Sequence, residues 1–163
     1  AWFINNYRIV ENADKEMESL FEIEPSTTAA IDKRFEEKVN GLVIEKDSSA
    51  AITLKSYQPN ELIYEYSTSK PQLALFSEIY YPSGWLATVD GKEMPHFRAN
   101  WVLRAMVLPE GAHRLVFRFE PSIFYIVQQV ALISSVSIGI VLLVLLLIQI
   151  YKRRHNLKVE EQI

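Results

Sequence analysis

The sequence predicts a mainly β domain, an antiparallel sandwich of Ig-like or jelly-roll-like type with one short N-terminal helix, followed by a single C-terminal transmembrane helix. Three observations predict it. From Leu42 onward apolar residues recur at every second position between turn signals spaced about every 8–12 residues, which is the pattern of short antiparallel strands. From Pro121 to Tyr151 there is no charged residue, and Val130 to Ile148 is almost wholly Val, Ile, Leu and small residues. Lys152, Arg153 and Arg154 then stop the run.

Taken in order, Ala1 to Val10 is rich in aromatic and β-branched residues and reads as a strand. Asn12 or Asp14 offers a helix N-cap, and Met17, Leu20 and Phe21 follow at helical spacing with acidic residues crowding the first turn. Glu24-Pro25-Ser26 ends that helix. Thr28 to Asp32 reads as a short strand, and Asp32 to Lys38 as a solvated charged stretch. Ile52, Leu54 and Ser56 then alternate with Thr53 and Lys55, and Leu62, Tyr64 and Tyr66 with Ile63, Glu65 and Ser67, around a Gln58-Pro59-Asn60 turn. Leu73, Leu75 and Ser77 alternate with Ala74, Phe76 and Glu78 up to Tyr80-Tyr81-Pro82-Ser83-Gly84. Trp85 to Val89, the Asp90-Gly91 hairpin signal, Lys92 to Met94, Asn100 to Leu108, a Pro109–Ala112 loop and His113 to Phe119 complete roughly eight strands.

A bilayer core of about 30 Å needs about 20 apolar residues in a helix, and the stretch after Pro121 is long enough and apolar on every face. Lys152, Arg153, Arg154 and Lys158 flank its far end, so the positive-inside tendency predicts residues 1–120 as an extracytoplasmic domain, 121–151 as the span and 152–163 as a cytoplasmic tail. Phe124 and Tyr125 suit one interface and Tyr151 the other. Ser134, Ser135, Ser137 and Gly139 suit either close approach of another helix or tolerated exposure to lipid. No basic-then-apolar leader precedes Trp2. The expectation is therefore a fragment of a longer chain with earlier spans, because a domain of this size needs something upstream to carry it across.

About 120 residues are enough for one domain with a core. Of the 20 acidic residues only Glu160 and Glu161 lie beyond the span, against four of the 17 basic ones, so the domain is mildly acidic with no face for nucleic acid. The chain has no cysteine, which excludes a disulfide framework, a thiolate metal site and a thiol nucleophile, and suits a bacterial envelope.

The three histidines, His96, His113 and His155, are far apart and lack metal-ligand spacing. No nucleophile elbow, phosphate-cradling glycine loop or dinucleotide fingerprint is present. Asp32, Asp90 and Glu93 are the acid-base candidates, but Asp90 before Gly91 reads as type I′ turn chemistry and Glu93 as a hairpin surface residue. The denser cluster is aromatic: Tyr80, Tyr81, Trp85 and Trp101, with Arg98 and Arg104 nearby. Aromatic faces stack on sugar rings and arginine grips phosphate by two parallel bonds. Core packing of at least one tryptophan, and anchoring of the tyrosines near lipid, are the competing readings.

The run from Ser77 to Glu93 with its Tyr80-Tyr81-Pro82-Ser83-Gly84-Trp85 core, then Arg98-Ala99-Asn100-Trp101, Leu108-Pro109-Glu110-Gly111-Ala112-His113 and Phe117-Arg118-Phe119-Glu120-Pro121, resembles the C-terminal part of YfhO-type bacterial membrane proteins. The similarity covers at least residues 73–151, and Trp2-Phe3, Glu11-Asn12-Ala13-Asp14 and Asp32-Lys33-Arg34-Phe35 resemble the region before it. The resemblance implies a large multi-pass protein similar to GT-C glycosyltransferases, which transfer sugar from a polyprenyl-phosphate donor to envelope polymers. It also implies that the catalytic acid sits in an early loop outside this chain, so no catalytic residue, metal or cofactor is assigned. The expected partners are the lipid bilayer, other spans of the parent chain, and a polyprenyl-phosphate sugar or envelope glycan, at the bacterial cytoplasmic membrane. Tyr80, Tyr81, Trp85 and Trp101 are the stacking candidates and Arg98 and Arg104 the anion partners. The alternatives are a purely structural sandwich and an independent, membrane-anchored glycan-binding module.

Overall fold

The computed structural model describes the backbone of residues 1–160, and the side chains of that range other than those of residues 122, 125 and 151–160. Tyr125, Tyr151, His155 and the basic cluster Lys152, Arg153, Arg154 and Lys158 therefore lie outside the described side chains. The chain divides into two compact units, one of residues 1–120 and one beginning at Pro121.

The first unit is mainly antiparallel sheet with a short N-terminal helix. Its strands are β1 (Trp2–Phe3), β2 (Asn6–Val10), β3 (Thr28–Asp32), β4 (Ala51–Gln58), β5 (Glu61–Thr68), β6 (Gln72–Ile79), β7 (Trp85–Val89), β8 (Lys92–Glu93), β9 (Phe97–Ala99), β10 (Leu103–Leu108) and β11 (Gly111–Phe119). Helix α1 spans Ala13–Ser19, and a 3-10 turn spans Lys33–Lys38. A five-stranded sheet in the order β4-β5-β11-β7-β8 faces a four-stranded sheet in the order β1-β6-β10-β9, while β2 and β3 pair in parallel as a separate ribbon.

The sheets pack because each strand puts alternate residues inward. Leu62, Tyr64 and Tyr66 of β5, Ala87 and Val89 of β7, and Leu115 and Phe117 of β11 meet Ala74 and Phe76 of β6 and Met106 and Leu108 of β10. Tyr64, Phe76 and Phe117 form an edge-on aromatic triangle with centroids 5.0–6.2 Å apart, the geometry that ring quadrupoles favour.

The predicted alternation along β6 has a different outcome. Leu73 and Leu75, on the opposite face from Ala74 and Phe76, are buried too, in a second core with Phe97, Ala99, Ala105, Ile4, Ala29, Ile31 and Val39. The four-stranded sheet is thus covered on both sides, the outer cover being the β2-β3 ribbon and the 3-10 turn. Buried on both faces, Leu73–Phe76 reads as a continuous apolar run rather than as half-polar alternation.

The N-terminal segment differs from a single strand. Ile4 N–H donates to Leu73 O (3.0 Å), whereas Asn5 N–H donates to Thr27 O (2.7 Å), so the chain leaves the sheet at that point and joins β3. Helix α1 is capped by Asn12, whose side chain accepts from Lys15 N–H (3.0 Å). The apolar residues at helical spacing do not make the buried face: Met17 and Phe21 are exposed, and Glu16 and Ser19, one turn apart, point inward.

The Asp90-Gly91 signal forms the expected two-residue hairpin, with φ of 49° and 83° and Val89 opposite Lys92. On the far edge of the same sheet, β4 has one unpaired side and a register shift between Leu54 and Ser56. Its approach loop is pinned by Asp47, whose carboxylate accepts from Ser49 and Ser69, each through backbone N–H and hydroxyl.

The second unit is one helix, α2 (Ser122–Glu160), and Ile126–Ile150 within it is 25 residues of apolar composition, long enough to cross a bilayer. Ser134, Ser135 and Ser137 each donate their hydroxyl to the carbonyl four residues earlier, which satisfies them inside an apolar surrounding.

Phe76 touches both partners of the aromatic triangle. Phe76→Ala is expected to lower stability by about 3–5 kcal/mol, read as a lower urea midpoint of the near-ultraviolet circular dichroism signal.

Candidate functional site

Three of the six predicted site residues come together. Tyr80, Arg98 and Trp101 line a cleft of about 510 Å³ with Arg34, Phe35, Ile79, Pro82 and Val102. Tyr81 is exposed beside Tyr80 and is not part of the lining.

The cleft is built from the β9–β10 turn. Asn100 and Trp101 both have left-handed backbones, φ 48° and 69°, a conformation that costs a bulky L-residue about 1–2 kcal/mol. Asn100 holds it by pairing with Ala30 in both directions: its N–H donates to Ala30 O (2.8 Å) and its Oδ1 accepts from Ala30 N–H (2.8 Å). Val102 O accepts from Tyr80 N–H (2.7 Å), which fastens the turn to the end of β6. Phe35, carried by the 3-10 turn, meets Tyr80 edge-on with centroids 5.8 Å apart.

Behind the aromatic wall lies an ionic cluster whose two carboxylates are buried and whose Arg34 reaches solvent. Arg98 Nη2 donates to Glu16 Oε2 (2.7 Å) and to Asp32 Oδ2 (3.2 Å). Arg34 donates through Nη2 (2.7 Å) and Nε (3.0 Å) to the same Asp32 oxygen. Both carboxylate side chains are 0% exposed. Asp32 therefore does not open a solvated run: it is the buried cap of the 3-10 turn, accepting from Arg34 N–H (2.9 Å). Hydrogen bonding from Arg34 holds the Asp32 carboxyl below its ordinary range, while burial pushes Glu16 upward against the opposing Trp101 N–H and Arg98. Two guanidiniums face two carboxylates, so the cluster is charge-balanced, and Arg98 is held by carboxylates rather than open to an anion. Glu16 Oε1, Arg98 Nε and Asn100 Nδ2 are buried without a hydrogen-bond partner.

Trp85 and Arg104 lie apart from this cleft, together. Arg104 is 1% exposed, and its guanidinium carbon sits 4.5 Å from both the Trp85 and the Phe117 ring centroids. Burial lowers its pKa, and its Nε and Nη1 have no partner. His96 lies in the same interior, its Nε2 2.9 Å from Trp85 O, and burial lowers its pKa as well.

A second cleft of about 500 Å³ is lined by Lys55, Glu65, Tyr66, Asp90, His113 and Arg114, among others. His113 Nδ1 is 2.6 Å from Asp90 Oδ2 and its Nε2 is 2.8 Å from Glu110 O. Both partners only accept, so the geometry favours the protonated ring, which alone donates from both nitrogens. Its pKa is raised, first by the Asp90 bond and then by the Glu110 carbonyl, and that of Asp90 is lowered, first by Arg114 N–H and then by His113. Gly111, at φ 116°, admits the ring: a Cβ there would lie 2.6 Å from His113 Nε2. Among the described residues no group of three His, Cys, Asp or Glu side chains is placed to hold a metal.

Sequence reasoning did not assign Glu16, Arg34, Phe35 or Asn100 to a site. Asp32, Arg98 and Trp101 are candidates on their own chemistry, while the rest of Asp32-Lys33-Arg34-Phe35 and Arg98-Ala99-Asn100-Trp101 is marked only by the family resemblance, and these two runs meet in the cleft.

A sheet domain joined to one apolar helix of spanning length defines a membrane-associated protein. The sequence matches the family described as bacterial membrane protein YfhO over residues 33–155. The chain belongs to that family. No curated protein and no solved structure matches it.

Two outcomes are expected. Asn100→Ala leaves the Ala30 N–H unpaired in the interior and should cost about 1–3 kcal/mol, measured by chemical denaturation. For the His113–Asp90 pair, stabilisation is complete below the unfolded histidine value of about 6.5 and is lost as pH rises through the raised folded value. On the acid side it is lost as pH falls through the lowered Asp90 value. The melting temperature should therefore decline from neutral to mildly alkaline pH more steeply in the parent than in His113→Gln, as thermal scans across pH will show.

Proposed function

We propose that this chain is the C-terminal extracytoplasmic sandwich and last span of a YfhO-type protein of the bacterial cytoplasmic membrane. Its sandwich assists transfer of a sugar from a polyprenyl-phosphate donor to a cell-envelope glycan by holding a sugar ring. The basic residues Lys152, Arg153, Arg154 and Lys158 after the apolar stretch support this orientation. The observation that carries the reading is the cleft itself: Phe35, Tyr80 and Trp101 present aromatic surface beside arginines already balanced by Glu16 and Asp32. Such a surface suits a polar ring with hydroxyls rather than a free phosphate, because an added anion would meet two buried carboxylates as well as the guanidiniums. The chain then supplies positioning, and the reacting groups come from elsewhere in the parent protein.

A structural reading of Trp85 and Arg104 is favoured by the burial of the Arg104 guanidinium against the partly buried Trp85 ring, and these two are assigned no ligand.

Isothermal titration of the detergent-solubilised chain with envelope glycans tests the reading. Trp101→Ala and Tyr80→Ala should each weaken binding about three- to tenfold, the equivalent of losing an aromatic contact of about 0.5–1.5 kcal/mol, with melting behaviour retained. Absence of heat from the parent chain across several neutral and anionic glycans would reject it.

A further inference from the structure

The loops at one end of the sandwich form an exposed surface that its core does not explain and that continues past the rim of the aromatic cleft to Tyr81. Phe119 pairs with Trp85, and Glu120 N–H donates to Gly84 O (2.6 Å), so the chain leaves the sandwich beside the Tyr80–Gly84 loop. The Tyr80–Val102 hydrogen bond brings the Asn100–Val102 turn to the same place. These two adjoining loops expose apolar and aromatic side chains: Ile79 is 74% exposed and Tyr81 54%, and Trp101 and Val102 are exposed with them. Neither residues 79–89 nor residues 99–103 include a charged side chain. In the same unit the Asp90-Gly91 hairpin, at the other end of β7, is polar and carries Lys92 and Glu93.

Six peptide units separate Glu120 from Ile126, where the stretch of spanning composition begins. Fully extended, they reach at most about 20 Å, less than the thickness of one bilayer. The end of the sandwich that carries the uncharged loops is therefore tethered within reach of the bilayer surface that the helix enters. Tyrosine and tryptophan favour that interface, where an apolar ring body and a polar edge are both accommodated, and Ile79, Pro82 and Val102 supply surface that gains by leaving water.

We propose that the Ile79–Pro82 and Trp101–Val102 loops are an interfacial membrane contact, seated among the lipid headgroups of the bilayer that α2 crosses. The occupant is lipid, and the tether argues for it: the bilayer that α2 crosses is an apolar surface that the chain holds close to these loops. The contact shares Ile79, Pro82, Trp101 and Val102 with the cleft, but it is argued from the tether and not from the sugar reading.

The chain has no native cysteine, so single spin labels report position directly. Ile79→Cys, Tyr81→Cys and Val102→Cys, with Lys92→Cys as the water-exposed reference, are labelled and the chain is reconstituted in nanodiscs of phosphatidylethanolamine and phosphatidylglycerol. The expected result is severalfold lower access of a nickel chelate at 79, 81 and 102 than at 92, with high access of oxygen. Chelate access equal to that at 92 would place the loops in water and overturn the proposal. Low access of both reagents would mean cover by protein, a second copy included, and would overturn it too. The unlabelled chain gives an independent measurement: brominated lipid should quench a component of tryptophan fluorescence that Trp101→Phe removes, and a quenched fraction unchanged by that substitution counts against lipid contact. Glycan titration and label depth are separate readouts, so failure of one reading leaves the other intact.

Discussion

From Gln72 to Phe76 strand β6 has no solvent-facing side, and the first unit is organised around that constraint. A strand with Ala74 and Phe76 on one face and Leu73 and Leu75 on the other must be covered twice. The five-stranded sheet covers the first face. The second requires a further layer, and the N-terminal segment supplies it by leaving the sheet after Ile4 and returning as the β2-β3 ribbon. A parallel pair needs a long crossover between its strands, which is where α1 lies.

The added layer brings charges with it. Helix α1 is only seven residues long, too short to hold itself by propensity, and its inward side chain is a carboxylate. Glu16 is tolerated at zero exposure because Arg98 reaches it from β9. Arg98 also lines the cleft beside the left-handed Asn100-Trp101 turn, so the buried acid and the aromatic wall share one strand. Strain held by surrounding hydrogen bonds is a feature of functional sites, and here it presents Trp101 to the outside.

What the sequence made legible was local. The alternation in β5, the Asp90-Gly91 turn, the Asn12 cap and the apolar span each follow from residues within about one turn or one hairpin of each other. The second core was hidden because double burial of β6 is a property of what packs on it, and Leu73 and Leu75 alone do not declare a partner. The buried face of α1 is not legible for a related reason: Met17, Leu20 and Phe21 have helical spacing, but the decisive contact is Glu16 with Arg98, 82 positions away. Asp32 sits in a run of charges and looked solvated for want of the same partner. Of the proposed ligand contacts, Tyr80, Arg98 and Trp101 converge because the hairpin turn and the end of β6 are hydrogen-bonded neighbours. Arg104 and Trp85 instead pair in the interior, a placement that no spacing announces. Trp101 in a left-handed turn was unreadable, since that conformation is signalled by Gly or Asn and not by an indole.

The free margin of β4 has a bearing on life at a surface. Proteins confined to a sheet of lipid diffuse in two dimensions and collide in restricted orientations, so any straight, unpaired backbone margin is offered repeatedly to its neighbours. The dislocation between Leu54 and Ser56 breaks the straight run of donors and acceptors, and Lys55, bridged to Glu65, sets charge at the break. Strand-to-strand polymerisation of crowded copies is thereby discouraged at the one long margin where it would begin.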